Sequence, residues 1–115
     1  MTYVSGFVTP VKIADKEAYL ACARAAAPIF KEFGALSVVE NWGDNLPEGK
    51  VTDFRRAVNA EPGETVVFSW IVWPDQATSD AAEKKMMEDP RFQAMEMPFD
   101  GKRMIIGGFQ TIYEA

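Results

Sequence analysis

The residues best suited to chemistry in this chain are carboxylates and an arginine beside a loop-rich segment. Asp44 precedes that segment, and Asp53 lies inside it close to Arg55. An aspartate can act as a general base or hold a divalent cation together with carbonyl oxygens and water. A turn aspartate also has structural uses, because it hydrogen-bonds nearby backbone and pairs with arginine. Asp44, Asp53 and Arg55 are therefore candidate catalytic residues, with capping and ion pairing as the alternative.

A second set of candidates combines aromatic side chains with an arginine. Trp42, Phe68 and Trp70 lie in segments typical of strands, and Arg103 begins the last apolar run. An apolar space lined by aromatic rings suits a planar or hydrophobic small molecule, and an arginine at its mouth can bind an anionic group. The alternatives are an aromatic dimer core and, for the arginine, a salt bridge to Asp53, to Asp100 or to the partner subunit. These four residues are the candidate ligand-binding residues.

The composition excludes several classes of function. The 115 residues include no histidine and a single cysteine, Cys22. The commonest general base, the usual ligand of haem and a cysteine-rich metal site are therefore missing, and we predict neither a metal nor a cofactor. Cys22 is expected in the core. Seventeen acidic and twelve basic residues give a net charge of −5, which repels phosphate backbones, so nucleic acid is not an expected partner.

The sequence also carries no pattern that points to a membrane. The first residues lack the basic and apolar regions of a signal peptide. The longest apolar runs, such as Trp70–Trp73, are far too short to span a bilayer. With one free thiol, we predict a cytoplasmic protein without a membrane partner.

The first half of the chain has the pattern of strand, helix and strand. Tyr3–Val11 and Leu36–Trp42 are rich in residues typical of strands. A helix is predicted over residues 15–33, with Asp15 as its N-cap and Gly34 as its left-handed stop. An apolar stripe at steps of three and four residues supports this helix and contains Tyr19, Ala23, Ala26, Phe30 and Phe33.

The second half repeats that order after a long connection. Residues 45–64 hold two prolines and two glycines and are interpreted as an insertion with its own short element. Val66–Trp73 is the clearest strand, and a helix follows it up to Asp89. The last strand is predicted over Arg103–Tyr113, where Gly107 and its neighbour Gly108 suggest a bulge or bend.

The order of these elements predicts one domain over residues 1–115 with an α+β fold. Strand, helix, strand, insertion, strand, helix and strand is the ferredoxin-like split βαβ arrangement, a four-stranded antiparallel sheet with two helices on one face. The run Val66–Trp73 is apolar on both faces, although two helices cover only one. We therefore predict a homodimer in which a second sheet covers the other face.

Several segments make the chain resemble the YbaA-like domain-of-unknown-function family, a member of the dimeric α/β-barrel group. The matching segments span nearly the whole chain and are Phe30–Leu36, Val39–Asp44, Gly49–Arg55, Val66–Trp70, Met86–Arg91, Met97–Met104 and Gly107–Phe109. The resemblance implies a ferredoxin-like fold and a dimer whose sheets close into a barrel, and it implies no activity. The wider superfamily includes monooxygenases and haem enzymes, and the haem branches depend on a histidine that this chain lacks.

Two functions follow as hypotheses. In the first, an uncharacterised cytoplasmic homodimer binds or transforms a small apolar or aromatic molecule in a barrel cavity, and its status as an enzyme is left open. In the second, a non-enzymatic interaction or stress-associated dimer has a barrel filled with side chains. A cavity with a polar group in its wall favours the first hypothesis, and a filled interior favours the second.

Overall fold

The computed structural model describes residues 1–115 and contains one four-stranded sheet. The strands lie in the order β2-β3-β1-β4, and each neighbouring pair is antiparallel. Their bounds are β1 (Tyr3–Lys12), β2 (Ser37–Trp42), β3 (Glu64–Trp73) and β4 (Ile105–Gln110). The predicted four-stranded antiparallel sheet of an α+β fold is confirmed.

Four helices accompany the sheet, and the two longest follow β1 and β3. Their bounds are α1 (Lys16–Glu32), α2 (Phe54–Ala57), α3 (Gln76–Glu88) and α4 (Pro90–Gln93). A core cluster joins Ile71 and Trp73 of β3 to Ala82 of α3, and the aromatic ring of Phe30 from α1 packs against it. Both long helices therefore cover the same face of the sheet. No helix has the length and apolar character needed to cross a membrane.

The sequence predicts a capping residue at the start of α1 and a left-handed glycine at its end, and the two predictions have different outcomes. Asp15 occupies the N-cap position, but its side chain makes no capping hydrogen bond. The predicted N-cap position is therefore correct, but the capping bond is missing because Asp15 closes a 3-10 turn over Ile13–Asp15, and its φ of −98° and ψ of 15° depart from the extended backbone of a capping residue. At the other end, Gly34 has a φ of +108°, which confirms the left-handed stop.

Strand alternation assigns each side chain of the sheet to one of two faces. Tyr3 is paired with Trp73 and Ser5 with Ile71, and these side chains lie on the helix-covered face, where Trp73 Nε1 donates a hydrogen bond of 3.0 Å to Ser5 Oγ. The opposite side of the sheet is called the open face. Its large side chains are Val4, Val8, Val39, Phe68, Trp70, Val72, Ile105 and Phe109.

The open face keeps large apolar side chains in contact with solvent. Phe68 is 44% exposed and Phe109 is 59% exposed. The connection between β2 and β3 lies over one end of this face, because the rings of Phe54 in α2 and Phe68 in β3 are 6.0 Å apart. The connection leaves β4 and the middle of the open face uncovered.

Strand β4 is shorter and more regular than predicted. The bulge expected at Gly107 and Gly108 is absent. Strand β4 pairs with β1 without interruption, from Tyr3 opposite Gln110 to Val8 opposite Ile105. A Cβ atom on Gly108 would overlap the hydroxyl of Tyr3. A larger residue at Gly108 would therefore require the Tyr3 ring to shift, and the pairing of the strands is unaffected.

Candidate functional site

A cavity of about 190 Å³ lies between the sheet and the helix layer. Thirteen of its sixteen lining residues are hydrophobic, and the cavity is partly open to solvent. It lies on the covered face of the sheet, whereas the sequence placed a binding space between two sheets. One wall is the apolar stripe of α1, which contributes Tyr19, Cys22, Ala23, Ala26 and Phe30.

The other walls come from α3, α4 and the connection between α4 and β4. Phe92 of α4 packs on Phe30, with 5.3 Å between the ring centroids. Met97 lies in the connection, where its Sδ is 3.5 Å from Cys22 Sγ. Burial raises the pKa of the Cys22 thiol, so the residue behaves as a small apolar side chain. The connection between α4 and β4 therefore closes one side of the cavity.

A hydrogen-bonded tyrosine and glutamate provide the main polar feature of this wall. The Tyr19 hydroxyl donates a hydrogen bond of 2.5 Å to Glu40 Oε1. Glu40 lies on β2 directly opposite Ser69 of β3, so both side chains point toward the helices. Tyr19 is 7% exposed, but Glu40 lies on an edge strand and keeps contact with solvent. The pair thus stands between the apolar cavity and the solvent.

The apolar surroundings shift the pKa values of both groups upward. Desolvation raises the pKa of Glu40, while hydrogen bonds from Tyr19 and Ser69 oppose that shift. Desolvation and the neighbouring Glu40 carboxylate raise the pKa of Tyr19 well above its ordinary value. Tyr19 is therefore a neutral donor near neutral pH. A carboxylate in this setting can accept a hydrogen bond or a proton from a bound molecule.

The candidate catalytic residues lie outside this cavity. Asp53 caps α2, accepting hydrogen bonds from the backbone nitrogens of Arg56 at 2.8 Å and Gly49 at 3.1 Å. These bonds and the Arg56 guanidinium lower the pKa of Asp53 to about 2. Arg55 donates to the carbonyl oxygens of Glu64 and Glu61.

Asp53 and Arg55 line a wide groove on the connection between β2 and β3, whereas Asp44 lies outside both the groove and the cavity. Asp44 is exposed near the start of that connection. The structure therefore brings Asp53 and Arg55 together but leaves Asp44 apart from them.

Arg103 is fully engaged by neighbouring groups. Its Nη1 and Nη2 each donate a hydrogen bond of 2.8 Å to the Glu64 carboxylate, and its Nε donates one of 2.9 Å to Asp100. A fourth bond reaches the carbonyl oxygen of Asn59. Glu64 is 6% exposed, and these bonds lower its pKa to about 2. The geometry gives Arg103 a role in joining β3, the connection before it and the start of β4.

The three aromatic candidates are divided between the two faces of the sheet. Trp42 packs beside Tyr19 on the covered face, with 6.4 Å between their rings. Phe68 and Trp70 lie on the open face, where their ring centroids are 5.4 Å apart. Although its side chain points to the open face, Trp70 is one of the residues that line the cavity, and Phe68 is not.

The sequence reasoning did not select Glu40 or Tyr19 as site residues, and it missed their pairing. A signal for them is present, because Val38, Glu40 and Trp42 alternate in β2 and must share one face. A glutamate between two apolar residues on a helix-covered face is unusual and indicates a specific partner. The partner is the hydroxyl of Tyr19, which interrupts the apolar stripe of α1.

Comparison with known proteins links the chain to a family without an assigned activity. The family described as Protein of unknown function (DUF1428) matches residues 2–101. The uncharacterised protein YbaA of Escherichia coli K12 is 57% identical over 116 aligned residues, which cover 99% of each chain. The protein of the same name in Shigella flexneri has the same identity and coverage.

A solved structure has the same fold at low sequence identity. A dimeric ferredoxin-like protein from an uncultured marine organism superposes with a TM-score of 0.60 and 16% identity over 100% of both chains. This similarity confirms the predicted ferredoxin-like fold. At that identity it carries no information about ligands.

Proposed function

The chain belongs to the DUF1428 family of YbaA-like proteins, and on that premise we propose that it is a homodimer that binds a small apolar or aromatic molecule. The binding site in this proposal is the cavity between the sheet and the helices. The observation that carries it is the combination of an apolar enclosure with a single hydrogen-bonded carboxylate, Glu40, in its wall. Pockets that bind small molecules have this composition.

The size of the cavity limits the ligand to about one ring. Its volume of about 190 Å³ is below the range of about 300–1,000 Å³ that is typical for drug-sized ligands. An apolar cavity of about 150 Å³ accepts benzene. A monocyclic molecule with one or two substituents therefore suits the space.

The proposed dimer rests on the open face. Phe68 of β3 and Ile105 and Phe109 of β4 are between 43% and 59% exposed there. Monomers rarely keep such a contiguous apolar surface in water, and a second copy of the same sheet covers it by a two-fold axis. The ferredoxin-like protein from the marine organism is itself described as dimeric, which supports the proposal.

Two coarser features complete the proposal. We propose that residues 1–115 act as one domain, because all four strands form a single sheet and the two longest helices pack on the same face of it. We also propose a cytoplasmic location, which the single free thiol, Cys22, favours.

Methionine methyl groups allow a direct test of the cavity. Met86, Met97 and Met104 line it, whereas Met1 and Met87 are 84% and 79% exposed elsewhere. With toluene as the probe and ¹³C-methyl methionine labelling, we expect saturable shifts of the three lining methyls and none of Met1 or Met87. Equal shifts at all five methyls, or none at any, would overturn the proposed site.

Native mass spectrometry tests the assembly and detects any ligand that co-purifies. A dimer carrying a reproducible small-molecule mass supports both parts of the proposal. A monomer at micromolar concentration contradicts the dimer. A dimer without added mass that also fails to bind toluene favours the alternative, an interaction protein with a filled interior.

A further inference from the structure

The charges around the cavity select against one class of ligand. Glu40 is the single charged residue among the sixteen that line it, and no lysine or arginine takes part. Lys16 lies on this side of the sheet, but it does not line the cavity, and its Nζ lies 5.5 Å from the centroid of the Trp42 ring. An anion in the cavity would meet a like charge in apolar surroundings without a compensating cation.

The Glu40 carboxylate also has hydrogen-bond acceptor sites that no protein group uses. An ionised carboxylate offers about four lone-pair sites, of which the Tyr19 hydroxyl uses one at Oε1 and the Ser69 hydroxyl uses a second. The hydroxyl of Ser69 is the other polar group opposite Glu40 on the sheet. The remaining sites are available to a donor that enters the cavity.

We infer that the ligand is a small aromatic molecule that is neutral or cationic and donates an O–H or N–H hydrogen bond to Glu40. This inference rests on the proposed function and specifies its ligand class. The ring of such a molecule would contact Phe7, Phe99 and Met86, which line the cavity. Phenols and aromatic amines fit the description, and aromatic carboxylates and phosphates do not.

The inference is tested with three probes of similar size: toluene, phenol and benzoate. Comparing two proteins removes the differences in hydration between the probes. In Glu40→Leu, we expect the preference for phenol over toluene to fall at least about tenfold relative to the unmodified protein, because the charged acceptor is gone. In Glu40→Gln, we expect benzoate to bind at least about tenfold more tightly while toluene is unchanged, because the like charge is gone.

A matched control is Glu48→Gln, since Glu48 is an exposed glutamate outside this cavity. It should leave all three affinities unchanged. If toluene binds and the two Glu40 variants leave the phenol and benzoate preferences unaltered, the inference is wrong although the site is real. If toluene itself does not bind, the proposed function fails and this inference fails with it. Because Glu40 lies on an edge strand in contact with solvent, both variants should fold.

Discussion

The Arg103 guanidinium donates two hydrogen bonds of 2.8 Å each to the buried carboxylate of Glu64. Glu64 begins β3 and Arg103 lies two residues before β4, so this pair joins segments that are 39 residues apart in sequence. Arg55 adds a hydrogen bond of 2.6 Å to the Glu64 carbonyl oxygen. The pair therefore fixes the connection between β2 and β3 against the end of the sheet.

Replacing Glu64 should destabilise the protein and flatten its response to acid. Glu64→Gln removes the charged acceptor of two Arg103 hydrogen bonds and leaves Asp100 as the remaining ionic partner of Arg103, so we expect a loss of about 1–3 kcal/mol in the free energy of unfolding. The folded state lowers the Glu64 pKa from 4.5 to about 2, so its contribution is complete above pH 4.5 and is lost as the pH falls toward 2. Urea unfolding between pH 7 and pH 3, at one protein concentration, measures both effects.

The control for this prediction is Asp100→Asn. Asp100 also binds Arg103, but its side chain is 42% exposed, so its replacement should lower the free energy of unfolding less than Glu64→Gln does. Equal losses for the two variants, or an unchanged acid response in Glu64→Gln, would contradict the assigned role of Glu64.

A methyl group at Gly108 should strain the contact between β4 and β1. Gly108→Ala places a Cβ atom against the Tyr3 hydroxyl, and overpacking of this kind costs about 1–3 kcal/mol. Gly101→Ala is the control, because a Cβ there meets no atom within 4 Å and the change should stay within about 1 kcal/mol. Thermal unfolding of the two variants measures the difference, and equal midpoints would argue against close packing by Tyr3.

Local patterns were enough to predict the order of elements and much of the covered face. The run Val66–Trp73 is apolar and β-branched, and α1 carries its stripe through Tyr19, Ala26 and Phe30, so their periods indicate strand and helix directly. The capping hydrogen bond expected of Asp15 and the bulge suggested at Gly107 and Gly108 are absent, because both depend on neighbours distant in sequence or on the exact backbone angles.

The cavity could not be predicted in the same way. Its position depends on α1, α4 and the segment with Met97 meeting over Glu40, which are contacts between distant parts of the chain. The sequence shows charged residues in a connection, but it does not show that Arg103 forms an ion pair with Glu64 and is therefore not available to a ligand. Ion pairing within the fold therefore decides which charged groups stay available to a ligand.

A charge on the open face should prevent formation of the proposed dimer. Phe109 is 59% exposed on β4, and burying a lysine in its place against a second sheet carries a large desolvation cost. We expect Phe109→Lys to be monomeric in sedimentation velocity at concentrations where the unmodified protein is dimeric. Met87→Lys changes an apolar residue that is 79% exposed on α3 and should stay dimeric. Two dimeric variants would show that the open face is not the interface.

Filling the cavity from α1 should remove binding without unfolding the protein. Ala23 lines the cavity, and Ala23→Leu places three more carbon atoms in it. We expect toluene affinity to fall at least tenfold, with a stability loss of about 1–3 kcal/mol from overpacking. Ala25→Leu, at an exposed position on the same helix, should preserve affinity. Unchanged toluene binding in Ala23→Leu, with the variant folded by circular dichroism, would place the ligand elsewhere.

Removing the Tyr19 hydroxyl should raise the pKa of Glu40 further. The hydrogen bond from Tyr19 stabilises the Glu40 carboxylate and partly offsets its desolvation, so Tyr19→Phe leaves the desolvation unopposed on that side. Because the folded pKa already lies above 4.5, folding stability falls as the pH rises from 4.5 through that pKa, and the fall should be larger in the variant.

A ¹³C NMR titration of the Glu40 carboxyl measures the shift in Tyr19→Phe. Tyr113→Phe, at a position that is 82% exposed, is the control and should leave the Glu40 pKa unchanged. A Glu40 pKa that stays the same or falls in Tyr19→Phe would mean that the hydroxyl does not stabilise the carboxylate. The preference for phenol over toluene should then be reassigned from this pair. A higher pKa would instead identify the Tyr19 hydroxyl as a group that stabilises the Glu40 carboxylate.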